Sequence, residues 1–353
     1  MTQVVVVGSL SMDLTAQTAS LPSPGETVIG TGFTMVPGGK GNNQAVTCAR
    51  QGVSTAMIGR VGSDAFGEAI RAQLVAEGVD VSHLATDPEV ASGIAHITVD
   101  SAGQNFIIIV PRSNHSMTAS QLERAAPVIE NAAVLLVQLE IRLEVVKEAL
   151  VIARRAGTTT ILNPAPALQL DDELLSKVDI CIPNEVEAAT LTQTKVDDFA
   201  GALAAARLLL RRGCKAVIVT LGAKGALYLD QERALAVSSL HVPVVDTVAA
   251  GDAFCGAFAS ALARGEDLET GLDALVAVGS GRGRGDLEAR ACGNQESHNT
   301  GLTNKTFPPC LRGRSERFVR PITPALSHWS SRLLERLLSS PGIRWRMRRR
   351  AEH

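Results

Sequence analysis

Short aliphatic runs alternate with stretches of helical spacing along the first 280 residues. Residues 4–7, four valines ending at Gly8, read as a buried strand. Segments 55–59, 134–138, 159–162, 180–182 and 216–220 repeat that pattern. Helices are predicted over 42–50, 66–77 (with Gly78 as its C-cap), 143–156, 201–211 and 251–263, and another begins over 268–278. Strands near 134, 159, 180 and 217 separated by helices predict a central, mostly parallel sheet.

Two stretches interrupt that alternation. Residues 21–39 are rich in Pro and Gly and read as turns and short exposed strands. Residues 94–99 and 105–110 are strand-like runs joined through Asp100, Ser101, Ala102 and Gly103, a hairpin signal. A small sheet projecting from the main body accounts for both.

Beyond residue 280 the pattern stops. Gly281-Arg282-Gly283-Arg284-Gly285 does not continue a helix, 293–326 show no sustained period, 333–338 fit one or two helical turns, and 344–350 are densely basic. Charge marks the same boundary. The chain of 353 residues has a formal net charge of -2. Residues 1–280 carry 19 Lys+Arg and 30 Asp+Glu, whereas 281–353 carry 15 and 6 and hold both tryptophans. The second stretch is either a disordered tail that attracts nucleic acid by charge or sequence foreign to the fold. The abrupt halt at 278–280 favours the second.

Composition excludes collagen-like, disulfide-scaffold and multi-span membrane classes: 45% of residues are hydrophobic and 3% aromatic. The six cysteines (Cys48, Cys181, Cys214, Cys255, Cys292, Cys310) contain no CxxC pair. The apolar start at 4–7 lacks a basic leader and a cleavage-like site, and no run of about 20 apolar residues appears. A reducing, cytoplasmic location is expected, with the nucleus as a second one, and neither a membrane nor nucleic acid as partner.

The strongest local chemistry is Asp246-Thr247-Val248-Ala249-Ala250-Gly251-Asp252. Small residues open a helix there, so free backbone N–H groups and a partial positive charge can hold a phosphate. Asp252 in the first turn can take a proton from a hydroxyl attacking phosphorus, or simply complement the helix dipole. Gly38-Gly39-Lys40-Gly41-Asn42-Asn43 permits close backbone approach to a ligand and is not a Walker A loop. In Asn184-Glu185-Val186-Glu187, Glu187 is a candidate for a water-mediated magnesium contact or an ordinary first-turn acid. Thr220-Leu221-Gly222-Ala223-Lys224-Gly225 is a further strand-end glycine loop. All four fall at strand ends, where open α/β sheets place ligands. Asp13 and Glu140 also follow strands and can hydrogen-bond the hydroxyls of a polyol. The histidines are scattered and form no metal-ligand pattern.

These segments together resemble the ribokinase-like (PfkB) carbohydrate kinases, from about Val4 to about Leu275. The shared motifs are Gly8-Ser9 with Asp13, Pro24-Gly25-Glu26-Thr27, Gly38-Gly39-Lys40-Gly41 with Asn43-Gln44-Ala45, and Gly59 to Gly62 with Asp64 and Gly67. They continue with Gln138-Leu139-Glu140, Asn163-Pro164-Ala165-Pro166, Asn184-Glu185 with Glu187, Thr220-Leu221-Gly222, and Asp246-Thr247 through Gly251-Asp252. The resemblance implies a three-layer α/β/α kinase domain over 1–280 with a central mostly parallel sheet. It also implies a small β-sheet lid from about 13–37 and 94–112 that makes a homodimer contact. The implied reaction is ATP-dependent phosphorylation of D-ribose at its 5-hydroxyl, giving D-ribose 5-phosphate and ADP, with Mg2+ and K+. Other sugar or nucleoside kinases of the family, and a catalytically weak sugar- or nucleotide-binding protein, are the alternatives.

Carried onto this chain, the resemblance makes Asp252 the general base and Ala249, Ala250, Gly251 and Asp252 the anion hole. Ser11, Asp13, Gly39, Lys40, Asn43 and Glu140 would hold the sugar. Asn184 and Glu187 would organise Mg-ATP, Glu187 reaching magnesium through water. Thr220, Gly222 and Lys224 would lie near the nucleotide, and Asp246 and Val248 would bind potassium. Three departures stand out. Ser11 replaces a usual Asn. Ala249 replaces a usual Gly, which requires a negative φ there. Arg112-Ser113-Asn114 replaces Gly-Ala-Asn, which should add bulk near the sugar. The C-terminal loop that covers adenine and completes the potassium site has no counterpart in 281–353. A changed reading frame or alternative terminal exon near residue 278 is expected to impair nucleotide affinity and cation activation.

Overall fold

The computed structural model describes residues 2–238, 249–266, 272 and 344–348. Their elements in chain order begin with β1 (Val4–Val7), β2 (Ser11–Thr18), β3 (Gly30–Gly38), α1 (Lys40–Arg50), β4 (Thr55–Gly62), α2 (Ala65–Ala76) and β5 (Leu84–Asp87). Next come β6 (Gly93–Val99), β7 (Asn105–Val110), α3 (Ala119–Glu130), β8 (Val134–Val137), α4 (Leu143–Ala156), β9 (Thr159–Leu162), α5 (Asp172–Leu175) and β10 (Ile180–Cys181). The last are α6 (Glu185–Thr192), α7 (Phe199–Arg211), β11 (Ala216–Thr220), β12 (Ala226–Leu229), β13 (Arg233–Val237), α8 (Ala250–Ala263) and β14 (Arg344–Arg348).

The large sheet runs β14-β13-β12-β11-β10-β9-β8-β1-β4-β5, parallel except where β12 pairs with β11 and β13. Strand β1 lies between β4 and β8 with helices on both faces, so all four valines are fully buried. That is why this strand reads as an unbroken apolar run rather than an alternation. The chain leaves β1 toward β4 and β5, then returns to β8 on the other side. The order therefore reverses between β1 and β8, and ligands of open α/β sheets bind at such a point.

The smaller sheet, β3-β2-β6-β7, is the projecting sheet expected from the two interrupting stretches. Its cavity-facing side carries Asp13, Ala95, Ile97, Ile107 and Ile109 in adjacent register. Its root is fixed at several points. Asp64 caps α2 through Gly67 N and also accepts from Ser92 N and Oγ, while Ser92 Oγ accepts from Gly62 N. Asn114 grips Leu10 from both sides, accepting its N–H at 2.9 Å and donating to its carbonyl at 2.8 Å.

Helix α3 was not legible as an element in the sequence, because Pro127 stands inside it and breaks the periodic reading. The basic segment 281–353 lies outside the described residues except for β14, which pairs parallel with β13. The four cysteines among the described residues are free and buried, and no described helix is long and apolar enough to cross a membrane.

Asn42, near the start of α1, is buried with neither amide atom hydrogen-bonded. A buried unpaired amide costs roughly 1–3 kcal/mol, and Ala is also the better helix former. Asn42→Ala is expected to raise stability by about 1–2 kcal/mol, measured as a shift of the urea midpoint at constant slope.

Candidate active site

The carboxyl ends of β1 and β8, the start of α1, the lid sheet and the start of α8 surround a cavity of about 140 Å3. Ser11, Asp13, Gly39, Lys40, Asn43, Glu140, Ala249 and Asp252 all line it. Ser9 and Asn114 join them, together with the apolar lid residues Ala95, Ile97, Ile107, Ile109 and Val110.

The start of α1 is brought in by glycine. Gly39 has φ of 93°, and a Cβ there would meet Leu10 Cα and Ser11 N at 2.9 Å. Only glycine lets the loop pass so close to the end of β1. Glu140 is thereby bound from two sides: Ser9 Oγ and Lys40 N both donate to its Oε2. Burial pushes its carboxyl above the ordinary value, against the opposing pull of Lys40 and these hydrogen bonds. Burial likewise pulls the Lys40 ammonium down, but the carboxylates of Asp252, Glu140 and Glu187 outweigh it and leave the net shift upward. Lys40 is therefore a firmly held positive charge beside the base candidate. Ser11 Oγ donates to Asp13 Oδ1 at 2.9 Å, so the serine in place of Asn orients the acid and faces the cavity.

Helix α8 packs closely on α1. A Cβ at Gly256 would meet Thr47 Cβ at 2.7 Å and Gln44 O at 2.8 Å. This contact sets Asp252 against α1. Asn43 Nδ2 donates to Asp252 Oδ2 at 3.1 Å, and Gln44 Nε2 donates to Oδ1 at 3.0 Å. The first intrahelical bond of α8 runs from Ala253 N to Ala249 O, and no side chain caps this end. The N–H groups of Ala250, Gly251 and Asp252 precede that bond, so they suit an anion.

Two sequence expectations are corrected here. Ala249 has φ of 61°, not a negative value. The left-handed conformation costs an L-residue about 1–2 kcal/mol, which explains why glycine suits the position. Ala249→Gly is expected to stabilise the protein by about 0.5–1 kcal/mol after the entropy cost of glycine, measured by thermal unfolding. Arg112 does not add bulk to the cavity. It is not among the lining residues; its Nη1 approaches Ser92 O at 3.4 Å, and its charge acts on Asp64. Its φ of 45° again marks a place that favours glycine.

The residues expected near nucleotide form a second group, outside the lining of this cavity. Asn184 caps α6 in a reciprocal box with Glu187: Glu187 N donates to Asn184 Oδ1 at 2.8 Å, and Asn184 N donates to Glu187 Oε2 at 2.9 Å. Asn184 Nδ2 supplies a further donor to Glu187 Oε1. Burial pushes the Glu187 carboxyl upward, partly offset by Asn184 and Lys40. An isolated bridge joins Asn184 to Thr220. Gly222 has φ of 50° with open space where a Cβ would stand, and Lys224 Nζ donates to Asp197 O. Asp246 and Val248 lie outside the described residues. Among those described, no group of three His, Cys, Asp or Glu side chains could hold a metal.

Ser9, Gln44, Gln138, Asn114 and Asn163 stand within the motifs but have no role assigned from the sequence. For Ser9, Gln138 and Asn163 a polar residue just after an apolar run was the available signal; Gln44 and Asn114 stand among other polar residues and carried none. The lid isoleucines carried no chemical signal at all.

The sequence profile described as pfkB family carbohydrate kinase matches residues 1–280. The chain is 40% identical over 263 residues to the bifunctional ribokinase/ribose-5-phosphate isomerase A of Fructilactobacillus sanfranciscensis. That match covers 74% of this chain and 49% of the relative, so the chain spans about half the length of that protein. It is 41% identical over 266 residues to the ribokinase of Mus musculus, covering 74% of this chain and 81% of that one. Among solved structures, Arabidopsis thaliana ribokinase complexed with ribose and ATP superposes with a TM-score of 0.73 at 32% identity, covering 79% of this chain and 92% of that one. With the fold, the lid and the motif residues in agreement, the chain belongs to the pfkB family of carbohydrate kinases.

Proposed function

We propose that residues 1–280 catalyse transfer of the γ-phosphoryl group of ATP to the 5-hydroxyl of D-ribose, with 281–353 as an appended segment. The observation that carries this reading is the joint lining of one small cavity by Asp13, Gly39, Lys40, Asn43 and Glu140 opposite Asp252. Pockets for drug-sized ligands measure roughly 300–1,000 Å3. A cavity of about 140 Å3 favours a free pentose over a nucleoside. Asp13 and Glu140 supply acceptors for sugar hydroxyls, and Asn43 and the backbone at Gly39 flank them.

Asp252 accepts the proton of the primary hydroxyl as its oxygen bonds to phosphorus and the bond from phosphorus to ADP breaks. The N–H groups of Ala250, Gly251 and Asp252 and the Lys40 ammonium stabilise the negative charge on the transferring group. The lid residues Ile97, Ile107 and Ile109 keep the site apolar on one side, limiting water as a competing acceptor. The residues fit a magnesium ion carried by nucleotide phosphates. Glu187 uses two acceptor positions on Asn184 and has others left for a metal-bound water. Magnesium there would neutralise phosphate charge. Potassium binding by Asp246 and Val248 stays part of the proposal but enters no step.

The assay is coupled ADP release over a panel of pentoses, hexoses and nucleosides, with and without potassium. Ribose turnover above the rest of the panel is expected, and none in any cation would overturn the reading. The end of the family match at residue 280 favours a second reading, a kinase weakened on its nucleotide side. An ATP affinity much poorer than the ribose affinity would mark it.

The homodimer belongs to the same proposal. Phe33, Met35, Phe106 and Ile108 are exposed apolar side chains on the lid face opposite the cavity, and patches of this kind mark interfaces. Sedimentation equilibrium is expected to give a dimer, which Ile108→Asp dissociates; a monomeric parent protein would remove this element.

A further inference from the structure

Three buried side-chain amides, those of Asn163, Gln44 and Gln138, connect the backbone after β10 to the carboxylate of Asp252. Their polarity is set from one end. The Ile182 carbonyl can only accept, so Asn163 must turn its Nδ2 toward it, at 3.1 Å. Asn163 Oδ1 then faces Gln44, which must present its Nε2, at 3.2 Å. The same Nε2 donates to Asp252 Oδ1 at 3.0 Å. Gln44 Oε1 accepts from Gln138 Nε2 on its other side. The opposite rotation of Gln44 would put an oxygen against two acceptor oxygens. Gln138 Oε1 has no partner, so the direction of the chain comes from Ile182 through Asn163.

We propose that Gln44 is the positioning residue of the catalytic carboxylate, an inference that rests on Asp252 being the base. Gln44 does not line the cavity and touches no substrate position. It holds Oδ1 from the core side while Asn43 Nδ2 holds Oδ2 at the cavity wall. Two donors on the two oxygens fix the plane of the carboxylate. With Oδ1 turned to the core, Oδ2 is the oxygen presented to the sugar hydroxyl. A reacting group misplaced by about 1 Å can cost about 100-fold in rate, and a free rotation of this carboxylate moves Oδ2 by that order.

Gln44→Met is expected to lower kcat for ribose about 100-fold while ribose affinity by calorimetry stays within about threefold of the parent. A residue that only supports packing would lower affinity and thermal midpoint instead of kcat at saturation. A double-mutant cycle separates the two: in an Asp252→Asn background, Gln44→Met should cost no further rate, because its partner's function is already gone. An additive loss there, or an unchanged kcat in the single variant, overturns the inference. Gln44→Glu guards against misfolding. It keeps the volume and the acceptor for Gln138, but sets a second carboxyl against Asp252 Oδ1, so the two share a proton and Asp252 is no longer a free base. It should lose kcat at least as far with ribose binding retained, and a parental kcat overturns the inference. If Asp252→Asn alone keeps full ribose turnover, the base assignment fails and the positioning role with it. An inert Gln44 beside an inactive Asp252→Asn removes the positioning role only.

Discussion

Asp252→Asn should reduce kcat for ribose by about 1,000-fold while leaving ribose binding nearly intact. The substitution changes one oxygen to an amide and preserves volume. Asn43 and Gln44 both donate to the native carboxylate, and an asparagine can satisfy only one of them with its oxygen. It cannot take the proton from the attacking hydroxyl, and general-base catalysis contributes about 100- to 10,000-fold. The sugar contacts from Asp13, Gly39 and Glu140 stand on other elements and are untouched. The measurement is steady-state turnover by coupled ADP release beside a calorimetric ribose titration. Loss of binding in parallel with turnover would mean that Asp252 mainly holds sugar. Retained turnover would place the base elsewhere.

The charge of this site is arranged around Lys40. Its ammonium lies under the influence of Asp252, Glu140 and Glu187, which come from α8, the segment after β8 and α6. No two of them are neighbours in sequence, so their joint effect on one lysine is a product of topology. The reversal of strand order between β1 and β8 leaves a crevice at the carboxyl ends of these strands, and the loop through Gly39 closes over it. The lid then covers it with isoleucines from β6 and β7.

How much of this was legible follows from what carries a local signal. Strands β1, β9 and β11 and helix α4 match the sequence reading residue for residue, because each is a short aliphatic or threonine-bearing β-branched run or a clean amphipathic stretch bounded by glycine or a loop. Helix α3 was not legible, since Pro127 interrupts its pattern. Of the acids lining the cavity, Glu140 follows the end of β8 and Asp252 opens α8, as the sequence indicated, whereas Asp13 lies within β2. The amide chain through Gln44 was not legible, because an amide is neutral and its importance lies in direction, which only neighbours define. The strain at Ala249 and Arg112 was visible as departures from glycine, but its sign was not: the sequence shows which residue stands there, and only the backbone shows φ of 61° and 45°.

Glu140→Gln should weaken ribose binding by about 10- to 100-fold while leaving the fold as stable as before or more so at pH 8. A hydrogen bond to a charged acceptor contributes about 1.5–3 kcal/mol, and the neutral amide loses that assistance. The fold responds in the opposite direction. Burial raises the Glu140 carboxyl above its ordinary value, with Lys40 and two donors only partly opposing. The folded protein therefore holds this proton more tightly than the unfolded chain does. Stability then falls as pH rises from the ordinary glutamate value through the raised one, since the native state binds more protons in that window. Glutamine behaves as the protonated form throughout. Its Oε1 can still accept from Ser9 Oγ and Lys40 N, and Lys40 keeps the charges of Asp252 and Glu187. The advantage of the variant should be greatest at pH 8 and shrink as the solution is acidified through that window. Urea unfolding of both proteins across the pH range, paired with ribose titrations at pH 8, measures both arms. A variant less stable than the parent at pH 8 would mean that the Lys40 attraction outweighs burial, and unchanged ribose affinity would remove Glu140 from the sugar site.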